Sequence, residues 1–278
     1  MSCRWRAANY RIMDDVVKTK HPSLPATSDD PHRTLGYRIT GVIIRTLRPL
    51  LKVSLLGYRL EVANALFPDG PADGEAAGPN PVRILFVGDI ASSSYNVLNH
   101  GLGVASQTSR YVAQEHSIGC SWTTISDTEL TMTRAANALS SVELEVDALI
   151  VIVGITDVLL GTTRTEWTVS LERIVATVDQ SANPNCPVIV SAIPPMHRFR
   201  AMPKFVQRLL ALQVQRLNGA SVSVAAAHPG VTYSPFPSLA TQGMFIEDAF
   251  NWKAVHSQWG KQLGAATTHA VKPGSPAT

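Results

Sequence analysis

Four short segments of this 278-residue chain hold the side chains best suited to chemistry: Gly88-Asp89-Ile90-Ala91-Ser92-Ser93-Ser94, Gly154-Ile155-Thr156-Asp157, Pro194-Pro195-Met196-His197-Arg198-Phe199 and Asp248-Ala249-Phe250-Asn251. A serine hydroxyl is a weak nucleophile until a neighbouring imidazole takes its proton. Ser92, Ser93 or Ser94 with His256 or His197 as base would supply that pair. The plainer role for such serines is to cap free N–H groups at a helix start, and His256 lies about five residues, or some 140° of helix, beyond Asn251. His197 and Arg198 fall on a loop, where they could touch an anionic or sugar-like ligand or simply fix the loop. Asp157 and Asp248, with no histidine or third acid close in sequence, make a poor donor set, so no metal is expected. No cofactor is expected either, and Asp89 is expected to bond backbone amides at the sheet edge. The candidate pocket is Gly88, Asp89, Ser92, Gly154, Asp157, His197 and Asp248.

These segments sit where strands end. VRILFVG (82–88), DALIVIVG (147–154) and CPVIVSAI (186–193) are Val- and Ile-rich runs, apolar on both faces as buried parallel strands are. Residues 103–115, 128–140, 164–179 and 203–218 have helical periodicity between and after them. The alternation predicts an α/β fold with a flavodoxin-like, doubly wound parallel sheet. Such sheets bind ligands beyond the C-terminal ends of their strands.

Upstream, residues 1–35 read as a flexible tail, 36–66 as a basic amphipathic helix and 67–81, FPDGPADGEAAGPNP, as a linker. The main domain then spans 82–265, with 266–278 as a flexible C-terminus. At about 100° per residue, Arg38, Arg45, Arg48, Lys52 and Arg59 fall within one arc of roughly 80°, with Ile, Leu and Val over most of the rest. Such a helix suits an anionic membrane interface, or else packs its apolar face on the domain and leaves the cations solvated. Five charges argue against a bilayer span.

Bulk composition narrows the classes further. Residues 1–60 hold 11 Lys/Arg against 4 Asp/Glu, and the remainder 13 against 17, so the globular part is slightly acidic. No basic stripe is interleaved with aromatics there, which argues against nucleic acid as a partner. The three cysteines, Cys3, Cys120 and Cys186, are too scattered for a disulfide framework and read as free thiols. The N-terminus lacks an apolar run followed by a small-residue cleavage site, so the expected location is cytoplasmic, peripheral to a membrane if the helix binds one.

The strand-end segments, together with MFIEDAFNWKAVHSQWGKQL, resemble the SGNH/GDSL hydrolases, in particular a bacterial branch with a Pro-Pro-Met-His-Arg-Phe stretch; the similarity runs from about Val82 to Leu263. In that family the first strand ends in Gly-Asp-Ser, with the serine as nucleophile, and here the residues are Gly88-Asp89-Ile90. The family's second block supplies a glycine N–H to the oxyanion hole, and the register through SWTTISDTELT puts Glu129 or a neighbour there, with no glycine. Its third block, Gly-x-Asn-Asp, is matched by Gly154-Ile155-Thr156-Asp157. Its last, Asp-x-x-His, is matched by Asp248-Ala249-Phe250-Asn251, which keeps the acid without the base.

The resemblance therefore implies a hydrolase fold without its ordinary chemistry. Isoleucine has no lone pair, asparagine is no base, and a carboxylate at Glu129 would repel a developing oxyanion. Three functions stay open: a non-catalytic protein binding a small acyl or carbohydrate-like ligand or a partner, an active ester hydrolase or acyltransferase with a rearranged site, and a scaffold for the amphipathic arm. A filled or flattened pocket would favour the scaffold.

Overall fold

The computed structural model describes residues 48–181, 183, 185–196, 202–238, 245–246 and 249–271. The first described element is helix α1 (Arg48–Ala63). Strands β1 (Gly74–Ala76) and β2 (Val82–Gly88) follow, then a short 3-10 turn (His100–Leu102), helix α2 (Val104–His116), β3 (Cys120–Ser126) and α3 (Met132–Leu139). Strand β4 (Ala148–Ile152) leads into the short α4 (Ile155–Leu160) and α5 (Arg164–Asp179); β5 (Val188–Ser191), α6 (Lys204–Ala227) and β6 (Val231–Ser234) come next. After a small hairpin, β7 (Phe245–Ile246) and β8 (Ala249–Phe250), α7 (Trp252–Ala270) closes the fold.

The main sheet has the order β1-β3-β2-β4-β5-β6. All its neighbours are parallel except the edge pair β1 and β3. The chain leaves β2 for β3 on one side and then crosses to β4 on the other, so the topological switch of this α/β fold lies beside the end of β2. Alternation along β2 serves both faces. Leu85 and Val87 join the core under α1, α3, α5 and α6, while Ile84 and Phe86 join the core under α2 and α7.

Two boundaries differ from the sequence expectations. Residues 74–76, inside the expected linker, form β1, whose Gly74 and Ala76 pair with Trp122 and Cys120. The Trp122 indole N–H also donates to the Ala72 carbonyl at 2.9 Å, which holds the segment flat on the sheet edge. At the other end α7 runs to Ala270, because Leu263 and Thr267 are buried and carry the helix past residue 265. The basic arm is helical from Arg48, and its residues 36–47, with Arg38 and Arg45, lie outside the described residues.

Helix α1 is apolar on two sides. Leu51, Leu55 and Tyr58 are buried against the domain. Val53, Leu56 and Leu60, on the opposite side at helical spacing, are 69%, 59% and 60% exposed. Lys52 and Arg59 are exposed as well. Among the described residues no helix is long and apolar enough to cross a membrane. Cys120 and Cys186 are free and buried, with thiols pushed up to about 11 and about 12 by desolvation.

Candidate functional site

Strand β2 delivers Gly88, Asp89 and Ile90 to the C-terminal edge of the sheet. A Cβ on Gly88 would run into Ser92 Oγ and approach Ile152 O at 2.9 Å, so only glycine lets the chain double back here. Gly154, at the end of β4, has φ +139 and would meet the Ile193 side chain, so it too must lack a Cβ. Asp89 ties these two strand ends together. Its carboxylate accepts from the N–H of Ala91 at 3.2 Å and of Gly154 and Ile155 at 3.1 Å each. Burial pushes its pKa up to about 7, against the pull of the same backbone donors. As expected from the sequence, Asp89 bonds backbone amides at this edge of the sheet, and because β2 and β4 are interior strands the latch joins two central strand ends.

Beyond Asp89 the chain makes turns, and the next α-helix begins only at Val104. Ser92–Ser94 therefore cap no helix start. Ser92 Oγ is buried with no hydrogen-bond partner among the described residues, and Ser93 Oγ donates to the Asp89 carbonyl at 3.4 Å. Ser94, at φ +58, places its Oγ 3.0 Å from His100 Nδ1, while His100 Nε2 meets the Gly70 carbonyl at 3.1 Å. His100 lies outside the four segments that the sequence points to. No motif marks it, and only the turn through positive φ at Ser94 and Asn96 brings it back.

The remaining candidates are dispersed. Glu129 lies after β3; its N–H donates to Asp127 Oδ1 at 2.8 Å and its carboxylate binds Arg59 of α1, which holds it below the usual carboxylate range. Thr156 is buried in α4 with Oγ1 unpartnered among the described residues. Asp157 accepts from the Met132 N–H at 2.9 Å and the Thr162 hydroxyl at 2.8 Å, joining α4 to the start of α3; burial pushes its pKa up to about 6. Asn251 caps α7, its Oδ1 accepting from the Ala254 N–H at 3.0 Å. His197, Arg198 and Asp248 lie outside the described residues. Among those described, no cluster of three or more His, Cys, Asp or Glu side chains could hold a metal.

The structure gathers a cavity of about 90 Å³ at these strand ends, lined by residues from both ends of the chain. Ile90 and Ala91 follow β2, Ile155 follows β4, Pro194 and Met196 follow β5, and Phe236 follows β6. Helix α1 contributes Tyr58 and Glu61, and α7 contributes Trp252, Val255, His256 and Trp259. Aromatic edges fix the walls: Tyr95 meets Trp252 at a centroid distance of 4.7 Å, and Phe236 meets Trp259 at 4.9 Å. Of the pocket expected from the sequence, Gly88, Asp89, Ser92, Gly154 and Asp157 brace the strand ends rather than line this cavity. Its aromatic walls carry no motif; α7 brings Trp252 and Trp259 against Tyr95 of the turn after β2 and Phe236 after β6.

His256 is 2% exposed, with Nε2 2.8 Å from the Tyr95 carbonyl. A carbonyl only accepts, so Nε2 bears the proton and Nδ1 is left as a lone pair, without a partner among the described residues. Desolvation lowers the ring's pKa and keeps it neutral.

A mostly parallel sheet flanked by helices on both faces, with a cavity at the strand ends beside the switch point, defines an α/β fold of the SGNH-hydrolase type. The chain belongs to the GDSL-like lipase/acylhydrolase family, whose pattern matches residues 88–269. Similar solved structures include Est24, a carbohydrate acetylesterase from Sinorhizobium meliloti (TM-score 0.49, 16% identity, 68% of this chain and 99% of that one). TesA (0.48, 17%, 69% and 98%) and an M. smegmatis aryl esterase (0.47, 16%, 68% and 97%) are also similar. No curated protein sequence matches significantly.

Proposed function

We propose that this chain is a non-catalytic member of its family that binds a small apolar ligand in the strand-end cavity, while α1 rests on an anionic membrane surface. One observation carries the reading. The residue where the family's nucleophile would stand is Ile90, on the wall of an apolar cavity; the His256 imidazole on the same wall is hydrogen-bonded to the backbone and, among the described residues, to no hydroxyl. Acyl transfer needs a nucleophile and a base within reach of each other, and an isoleucine at that place with a backbone-bound imidazole among the described residues supports a non-catalytic reading. The cavity also weighs against a pure scaffold.

The outward strip of Val53, Leu56 and Leu60, bordered by Lys52 and Arg59, supports the membrane part. The helix already buries its other side on the domain, so packing and membrane contact need not compete.

A relocated active site is the second reading, favoured by the contact between Ser94 and His100. With His100 Nε2 donating to Gly70, its Nδ1 can accept the Ser94 proton. Against it, Ser94 is 1% exposed and is not part of the cavity wall. A fluorophosphonate probe and a short-chain ester assay decide. The expected result is no label and no turnover above control; labelling that Ser94→Ala or Ser92→Ala abolishes would establish the relocated site.

A further inference from the structure

Resting on the reading of α1 as a membrane-facing helix, we propose that the molecule has a second footing on the same anionic bilayer, a tip at the strand ends formed by Leu98 and Leu66. Leu98 is 80% exposed and Leu66 48% exposed. They belong to two different segments, and the structure clamps those segments together. Asn96 donates its N–H to the Leu66 carbonyl at 2.9 Å, and its Oδ1 accepts from the Leu66 N–H at 3.1 Å. The clamp uses a left-handed conformation at Asn96 (φ 54), which asparagine tolerates better than most residues. Beneath it Val97 is buried, and Phe67 meets Tyr95 edge-on at a centroid distance of 6.0 Å. Leu98 therefore stands on a braced turn that holds it out of the core.

The tip continues the apolar strip of α1. Two tight turns, Asn64 N–H to the Glu61 carbonyl at 3.1 Å and Ala65 N–H to the Val62 carbonyl at 3.2 Å, carry the chain from the helix end to Leu66. Leu98 follows two residues after Asn96, no more than about 7 Å along the chain. Val53, Leu56 and Leu60 thus run on to Leu66 and Leu98. A single exposed leucine is ordinary, whereas a run of them marks an interaction surface. Charge selects the partner. Lys52 borders the strip, and residues 1–60 carry 11 Lys/Arg against 4 Asp/Glu, an excess that an anionic bilayer complements and a second copy of this chain would repel. A contact on a second segment also fixes the orientation of the domain. Tyr95, on the cavity wall, precedes Leu98 by three residues, so this footing sets the strand-end cavity close to the lipid.

The test uses the full chain with Cys3→Ser, in which Leu56→Cys, Leu98→Cys or Gln114→Cys adds one accessible thiol for a nitroxide; Cys120 and Cys186 are buried. Collision of the label with oxygen and with a nickel chelate reads its depth in phosphatidylserine/phosphatidylcholine vesicles. The expected result is that labels at positions 56 and 98 both lie below the phosphates, and that the label at exposed position 114, on α2 across the sheet, stays in water. In sedimentation of the unlabelled protein, Leu98→Ser should weaken vesicle binding roughly tenfold, the scale of burying one leucine side chain. Its urea midpoint should not move, because the side chain is already exposed in the free protein. A label at 98 left in water while that at 56 is buried, or Leu98→Ser binding like the wild type, overturns the second footing alone. Labels at 56 and 98 that both stay in water overturn the membrane reading of α1 and this inference with it. A label at 98 that becomes immobile without lipid as protein concentration rises assigns the tip to a second copy and overturns the bilayer footing.

Discussion

Arg59 of α1 grips Glu129 with two parallel bonds, Nε to Oε1 at 2.6 Å and Nη2 to Oε2 at 2.7 Å, and so ties the N-terminal helix to the turn after β3. The pair is solvent-exposed, and its contribution to global stability is small. Its local effect is on the helix. Glu129→Gly should speed hydrogen exchange in α1 and, by releasing the Arg59 cation, strengthen binding to anionic vesicles. Exchange in α1 unchanged by the substitution would show that burial of Leu51, Leu55 and Tyr58 holds the helix without help.

Ile90→Ser should yield no ester hydrolysis above control. The new hydroxyl would find Asn251 engaged as a helix cap and His256 tied to Tyr95. The set Ile90→Ser, Glu129→Gly, Thr156→Asn and Asn251→His rebuilds every family position, and parts that act as a unit do not contribute separately. It carries a cost in stability, since loss of the Asn251 cap should lower it by about 1 kcal/mol in urea unfolding. Turnover by the single variant would show that a base is already within reach.

Asp89 should give the protein a pH-dependent stability. Its folded pKa, about 7, stands above the unfolded 3.8, so the native state binds the extra proton and the stability it brings is fully present below about 4. That stability is lost as pH rises through about 7. Unfolding free energies measured from pH 5 to 8 should fall, and Asp89→Asn should flatten the slope while lowering stability by roughly 1–3 kcal/mol, because its amide nitrogen would face backbone N–H groups. An equal slope in the variant would assign the effect elsewhere.

Sedimentation with anionic vesicles tests the outward face of α1. A cation near such a surface is worth about 1 kcal/mol, so Lys52→Gln should weaken binding roughly fivefold. Leu56→Ser should weaken it at any salt concentration, since it removes apolar area rather than charge. Binding indifferent to both changes would leave α1 as a purely intramolecular helix.

How much the sequence revealed follows burial. β2, β4 and β5 were legible because strands covered on both faces read as unbroken Val and Ile runs. β3, CSWTTIS, shows no such run, because it lies beside the edge strand, half-exposed and rich in hydroxyls. β1 hid in a Gly- and Pro-rich stretch, since three residues held by edge pairing need no hydrophobic pattern. At the site, the strand-end motifs located Ile90 but not its surroundings. Counting helix angle from Asn251 set His256 aside, yet Asn251 is the non-helical cap (φ −83, ψ 81), and α7 turns His256 onto the cavity wall.

The cavity wall joins Tyr58, near the start of the described chain, to Trp259, near its end. During synthesis the sheet could begin to pair once β2 to β4 had emerged, but the wall would lack α7 until residues 252–270 were out. Contacts so distant in sequence close late, because loop entropy opposes them until the intervening structure has formed. A truncated or stalled chain would therefore fold much of its sheet and still present an open, unwalled strand end. A closed cavity wall would mark a chain that has folded through α7.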